Sequence, residues 1–120
     1  MKTNWETTFI DPHHLKGIAE GDMDRLLKYL LQFQELIPSR ITKLKESLKD
    51  EDRKMIRQIL HQMSPQIQFF GIPDVVEPIK KLEYEYETIP ANELSKLVEN
   101  IIIKLHLAIK DVESILKNNF

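Results

Sequence analysis

Four histidines, at positions 13, 14, 61 and 106, are the side chains of this 120-residue protein best suited to chemistry near neutral pH. An imidazole can serve as general base, metal ligand or nucleophile, and its neighbours decide which. His13 opens the string His13-His14-Leu15-Lys16-Gly17, whereas His61 stands in Leu60-His61-Gln62-Met63-Ser64-Pro65, with Gly71 ten residues on. There is no cysteine, so thiolate catalysis, disulfides and cysteine-ligated zinc are excluded together. No two histidines have the i, i+4 spacing that puts a pair on one helix face, and the spacings support no zinc site.

The elements that must position these residues are helical. Apolar residues make up 42% of the chain and charged residues 30%, and three glycines are too few for a loop-rich β architecture. The net charge of −2 comes from 17 basic and 19 acidic residues mixed along the chain, without the basic excess that nucleic acid requires. The N-terminus lacks the apolar stretch of a signal peptide, and the longest apolar run, Ile101-Ile102-Ile103, is far below a membrane span. These features predict one cytoplasmic domain over residues 1–120.

Met23, Leu26, Leu30, Phe33, Ile37, Ile41, Leu44 and Leu48 recur three or four apart, predicting one long amphipathic helix that passes through Pro38. Before it, Asp11-Pro12 predicts a cap and first turn of a short helix ending near Gly21, with Leu15 and Ile18 facing inward. Ile56, Leu60, Met63, Ile67 and Phe70 mark a second long helix closed by Gly71. A third opens at Pro73 and runs towards Ile89-Pro90, and the last spans about Ala91 to Asn118. Long helices with short connections pack as antiparallel neighbours, so the expected fold is all-α, an up-down four-helix bundle with a short N-terminal capping helix.

At about 100° per residue, His61 lies about 140° from the apolar stripe of its helix, Gln68 about 120°, Arg57 about 100°, Ser64 about 80° and Gly71 about 60°. These five share one flank, where an imidazole projects from a rigid element and remains open to a partner. By the same measure His106 lies about 120° from the stripe of the last helix, a boundary position.

From Gly21-Asp22 to Leu82-Glu83 the chain resembles a histidine-containing phosphotransfer (HPt) domain of multistep two-component phosphorelays. The resemblance rests on Gly21-Asp22 opening a helix with Ile37-Pro38 inside it, the acidic turn Lys49-Asp50-Glu51-Asp52, His61 with Met63 two residues on and Gly71 ten on, and the closing Lys81-Leu82-Glu83. It implies that His61 is the phosphoacceptor, taking a phosphoryl group from a receiver-domain aspartate or a hybrid sensor histidine kinase and passing it to a response-regulator aspartate. The family's usual string, His-x-Leu-Lys-Gly, is matched by His13, but there it coincides with the short first helix. His13 and His14 are therefore read as solvent-facing residues.

At His61 the string departs from the family, with Ser64 and Pro65 in place of lysine and glycine. Ser64 and Gln68 can donate hydrogen bonds to phosphoryl oxygens without adding charge, and Arg57, one turn before His61, is a substitute cation. Pro65 has no N–H for the His61 carbonyl, which is expected to take water or a side chain. The resemblance implies no cofactor and no kinase activity of its own, with Mg²⁺ supplied by the receiver. It also implies a monomer that docks receivers through Leu15, Ile18, Met23, Leu27, Gln68 and Gly71, the glycine leaving room for the partner's approach. The alternative is a helical adaptor of the same fold that binds a receiver or kinase domain without carrying phosphate.

Overall fold

The computed structural model describes residue 10 and residues 12–120, and within the first helix the side chains of Pro12, Lys16, Ile18 and Ala19 lie outside that description. Five helices follow one another: α1 (Pro12–Gly21), α2 (Met23–Lys49), α3 (Arg53–Phe70), α4 (Pro73–Glu85) and α5 (Ala91–Asn119). The expected Asp11 cap lies outside the described residues.

Local chemistry sets the boundaries. The Asp22 carboxylate accepts from the Arg25 amide at 3.1 Å and starts α2, and Asp52 does the same for α3 through the Met55 amide at 3.1 Å. Pro38, Pro65 and Pro78 each sit inside a continuous helix. Gly71 ends α3 in the left-handed conformation at φ 64° and ψ 61°, its amide donating back to Gln68 and Ile67 carbonyls. Pro73 then supplies a first-turn residue with no N–H to satisfy, and α4 begins two residues after Gly71.

α4 ends at Glu85, earlier than its apolar pattern implies, and residues 86–88 form a turn. Two causes converge there. Ile89 precedes Pro90, which disfavours helical backbone. The Arg53 guanidinium, reaching across from the start of α3, donates to the carbonyls of Tyr86 at 3.1 Å and Ile89 at 2.5 Å. A cation at the C-terminal end of α4 also opposes that helix's dipole favourably.

The four long helices pack in a closed cycle, α2 on α3, α3 on α4, α4 on α5 and α5 on α2, while the diagonal pairs do not meet. The result is an up-down bundle measuring 50 × 21 × 20 Å. Its core runs the length of the rod, from Leu26, Leu30 and Phe33 through Ile37, Leu60 and Met63 to Ile56, Val98 and Leu105, all fully buried. Burying each such large side chain contributes on the order of 1.5–3 kcal/mol before the entropy of ordering it. α1 packs against α2 and α3, where the His14 and Phe69 rings meet in a T shape at 5.7 Å and Phe69 lies tilted against Tyr29 at 4.7 Å. Ahead of α1, the Ile10 amide donates to the buried Asp111 carboxylate of α5 at 3.1 Å.

Gly71 is the backbone position on which the α3–α4 reversal turns. Gly71→Ala should lower unfolding free energy in urea by about 1 kcal/mol, and Gly71→Asn by less, because asparagine tolerates the left-handed region better.

Candidate functional site

His61 projects from the middle of α3 with 69% of its side chain exposed, and its Nδ1 lies 2.7 Å from Glu83 Oε1 on α4. A carboxylate can only accept, so the short contact requires Nδ1 to carry the proton and donate. In the neutral ring this leaves Nε2 as the unprotonated nitrogen, with its lone pair available as a nucleophile. Glu83 is 22% exposed, so it holds the ring from a partly desolvated position. This is the arrangement by which second partners fix the tautomer and aim of a working imidazole.

Glu83 was legible in the sequence only as part of the closing Lys81-Leu82-Glu83 stretch, not as the residue that grips His61. Its role follows from the antiparallel register of α3 and α4. Arg57 lies over the Tyr86 ring at 5.7 Å, His61 bonds Glu83, and Gln68 and Val76 line one cavity. Residue numbers in each pair sum to 143 or 144, as a constant antiparallel register demands.

The other residues of the flank have definite tasks. The Gln68 amide donates to Ser64 Oγ at 3.3 Å, so two uncharged groups already share a hydrogen bond one turn and two turns beyond His61. Arg57, the substitute cation of the sequence reading, rests on Tyr86, one turn towards the start of α3. Glu87 beside its hydroxyl holds the Tyr86 phenol above its ordinary range, with burial adding to the rise and Arg57 opposing it.

Pro65 has no N–H to give the His61 carbonyl, and the carbonyl in this turn that receives a side chain from another helix is that of Gln62. Arg40 Nη1, from α2, donates to the Gln62 oxygen at 2.9 Å. No sequence signal pointed to Arg40, because the contact joins residues 22 apart on separate helices.

The proposed docking residues separate into groups. Leu15 is fully buried in the core and presents no surface; as the inward residue of α1 it holds that helix to the bundle. The Ile18 side chain lies outside the described residues. Met23 and Leu27 are half-buried on α2, but they lie 17 and 13 residues before Arg40, which marks the level of His61, and so about 20–25 Å along the bundle. Gly71, ten residues beyond His61, is about 15 Å away along α3. It does not stand beside the imidazole; with Gln68 it borders a cavity of about 480 Å³ together with Ile10, Ile72, Pro73, Val76 and Glu77.

His13, His14 and His106 are exposed. The boundary position expected for His106 is instead solvent-facing, beside the 59%-exposed Ile103, because no helix covers that side of α5. Among the described residues no group of three or more histidine, aspartate or glutamate side chains is placed to hold a metal ion, and no helix is long and apolar enough to cross a membrane.

No protein-family model and no characterised protein matches the sequence. Among solved structures, the chain is similar to the HPT domain of a sensor hybrid histidine kinase from Shewanella, known from a 1.80 Å crystal structure. The two share 16% sequence identity with a TM-score of 0.76, over 96% of this chain and 93% of that one. The chain therefore has the fold of an HPt domain, a helical bundle, as the apolar periodicity implied.

The hydrogen bond between α3 and α4 makes a spectroscopic prediction. Nitrogen NMR of His61 should show the Nδ1-protonated tautomer as the dominant neutral form. Glu83→Ala should shift the ring towards the Nε2-protonated form that free imidazoles prefer, without unfolding the bundle.

Proposed function

We propose that the protein is a phosphorelay intermediate that accepts a phosphoryl group on His61 Nε2 and passes it on. The donor is a receiver-domain aspartyl phosphate or a hybrid sensor histidine kinase relay, and the acceptor is a response-regulator aspartate. The reading is carried by one observation, an exposed imidazole on a rigid helix whose Nδ1 is engaged by a carboxylate from the neighbouring helix. Likeness of fold to an HPt domain supports it.

The chemistry balances without a proton leaving the site. The Nε2 lone pair attacks phosphorus while the P–O bond to the donor aspartate breaks, and that electron pair remains on the departing carboxylate. The ring becomes a phosphorylated imidazolium, its Nδ1 proton still held by Glu83, whose negative charge opposes the new positive charge of the ring. In the return step an acceptor aspartate attacks phosphorus, and the N–P electron pair goes back to Nε2. Mg²⁺ belongs to the receiver partner in this scheme, and this chain contributes the nucleophile, its orientation and a docking surface. It acts as a carrier in the cytoplasm, as a monomer, with no cofactor and no kinase activity of its own.

Incubation with a phosphorylated receiver domain tests the reading directly. The chain should acquire acid-labile, alkali-stable phosphate, His61→Gln should abolish it, and His13→Gln and His14→Gln should leave it intact. Labelling that persists in His61→Gln overturns the assignment of His61, and binding of the receiver without any label would replace the relay reading by that of an adaptor.

A further inference from the structure

The flank of α3 that carries His61 and the flank of α4 that faces it form a ladder of side chains. On α3 the positions are Arg57, His61, Ser64 and Gln68, spaced i, i+4, i+7 and i+11; on α4, read in reverse, they are Tyr86, Glu83, Lys80 and Val76. Three rungs are occupied by observed neighbours: Arg57 with Tyr86, His61 with Glu83, and Gln68 with Val76 around a shared cavity. By the same register, the remaining rung sets Ser64 at the level of Lys80. Val76 and Glu83, the half-buried residues on either side of Lys80 along this stripe, both face α3, and Lys80 between them is exposed. Among the described residues Lys80 makes no hydrogen bond or ion pair, whereas Arg57 is engaged by Tyr86 and Arg40 by the Gln62 carbonyl.

The geometry points to Lys80 as the cation that neutralises a phosphoryl group on His61, reaching across from α4 to the space one turn beyond the imidazole. The inference rests on the phosphorelay reading and deepens it. Glu83 creates the need for such a charge: the carboxylate that orients the ring at 2.7 Å also repels the anionic phosphoryl group arriving at the opposite nitrogen. Ser64, the α3 residue nearest that space, is uncharged and already bonded to Gln68. A lysine on a flexible stem suits the task, because its point charge follows the phosphoryl oxygens without demanding a fixed orientation. Lys80 is thus a phosphoryl-binding residue contributed by the facing helix.

Phosphoramidate, a small donor that needs no partner protein, separates this inference from the relay itself. Nε2 attacks phosphorus, the P–N bond of the donor breaks, and its electron pair leaves on ammonia; phosphorus NMR follows formation and hydrolysis of the phosphohistidine in the full chain. Lys80→Gln should slow labelling by about two- to five-fold at low salt. The deficit should shrink as salt rises. Lys80→Arg should label near the native rate, and Ser64→Lys introduced into Lys80→Gln should recover it, since both positions place charge on the same rung. Unchanged melting of Lys80→Gln excludes a folding cause. Equal labelling of native protein and Lys80→Gln on His61 at low salt would overturn the role of Lys80 and leave His61 standing. Conversely, Lys80-dependent labelling by phosphoramidate with none from a phosphorylated receiver would support Lys80 and overturn the relay.

Discussion

The reversal between α3 and α4 is the constraint on which the site depends. Gly71 at φ 64° turns the chain, Ile72 and Pro73 complete the turn, and α4 has no slack with which to slide along α3. At the far end Arg53 holds the carbonyls of Tyr86 and Ile89, so the pair of helices is tied at both ends. With both ends fixed, Glu83 can fall only at the level of His61. A one-residue change in that connection would rotate α4 by about 100° and carry the carboxylate away from the imidazole.

That constraint explains how a single exposed histidine becomes a directed one. An unattached surface imidazole samples rotamers and both tautomers, whereas His61 is held at one nitrogen by a group from another element. The hold has an electrostatic consequence, since the carboxylate that engages Nδ1 would oppose any anionic group brought to the opposite nitrogen. The flank beyond His61 is uncharged on α3, at Ser64 and Gln68, and carries its free positive charge on α4, at Lys80.

Pro65, in the turn after His61, removes a backbone donor, yet α3 continues to Phe70 because its Ile67 and Phe70 stay anchored in the core and Arg40 serves the Gln62 carbonyl from α2. The active turn is therefore braced from both neighbouring helices, by Glu83 on one side and Arg40 on the other. Neither brace comes from α3 itself.

The sequence by itself determined the helices, because three- and four-residue apolar spacing dictates which face must leave water, and residues such as Asp22, Asp52 and Gly71 mark the ends through local hydrogen bonding and backbone freedom. It also placed His61 on an exposed flank, since the angle from the apolar stripe is a property of one helix alone. What lay beyond it was every relation between helices. Glu83 against His61 and Arg40 against Gln62 join residues 22 positions apart, and their meeting depends on register and rotation that no single-helix pattern encodes. Leu15 went the other way: its spacing pointed inward while the resemblance made it a docking residue, and the packing of α1 onto α2 and α3 decided for the core. Local spacing reports the direction of a side chain relative to its own axis, and the tertiary structure alone reports what stands in that direction.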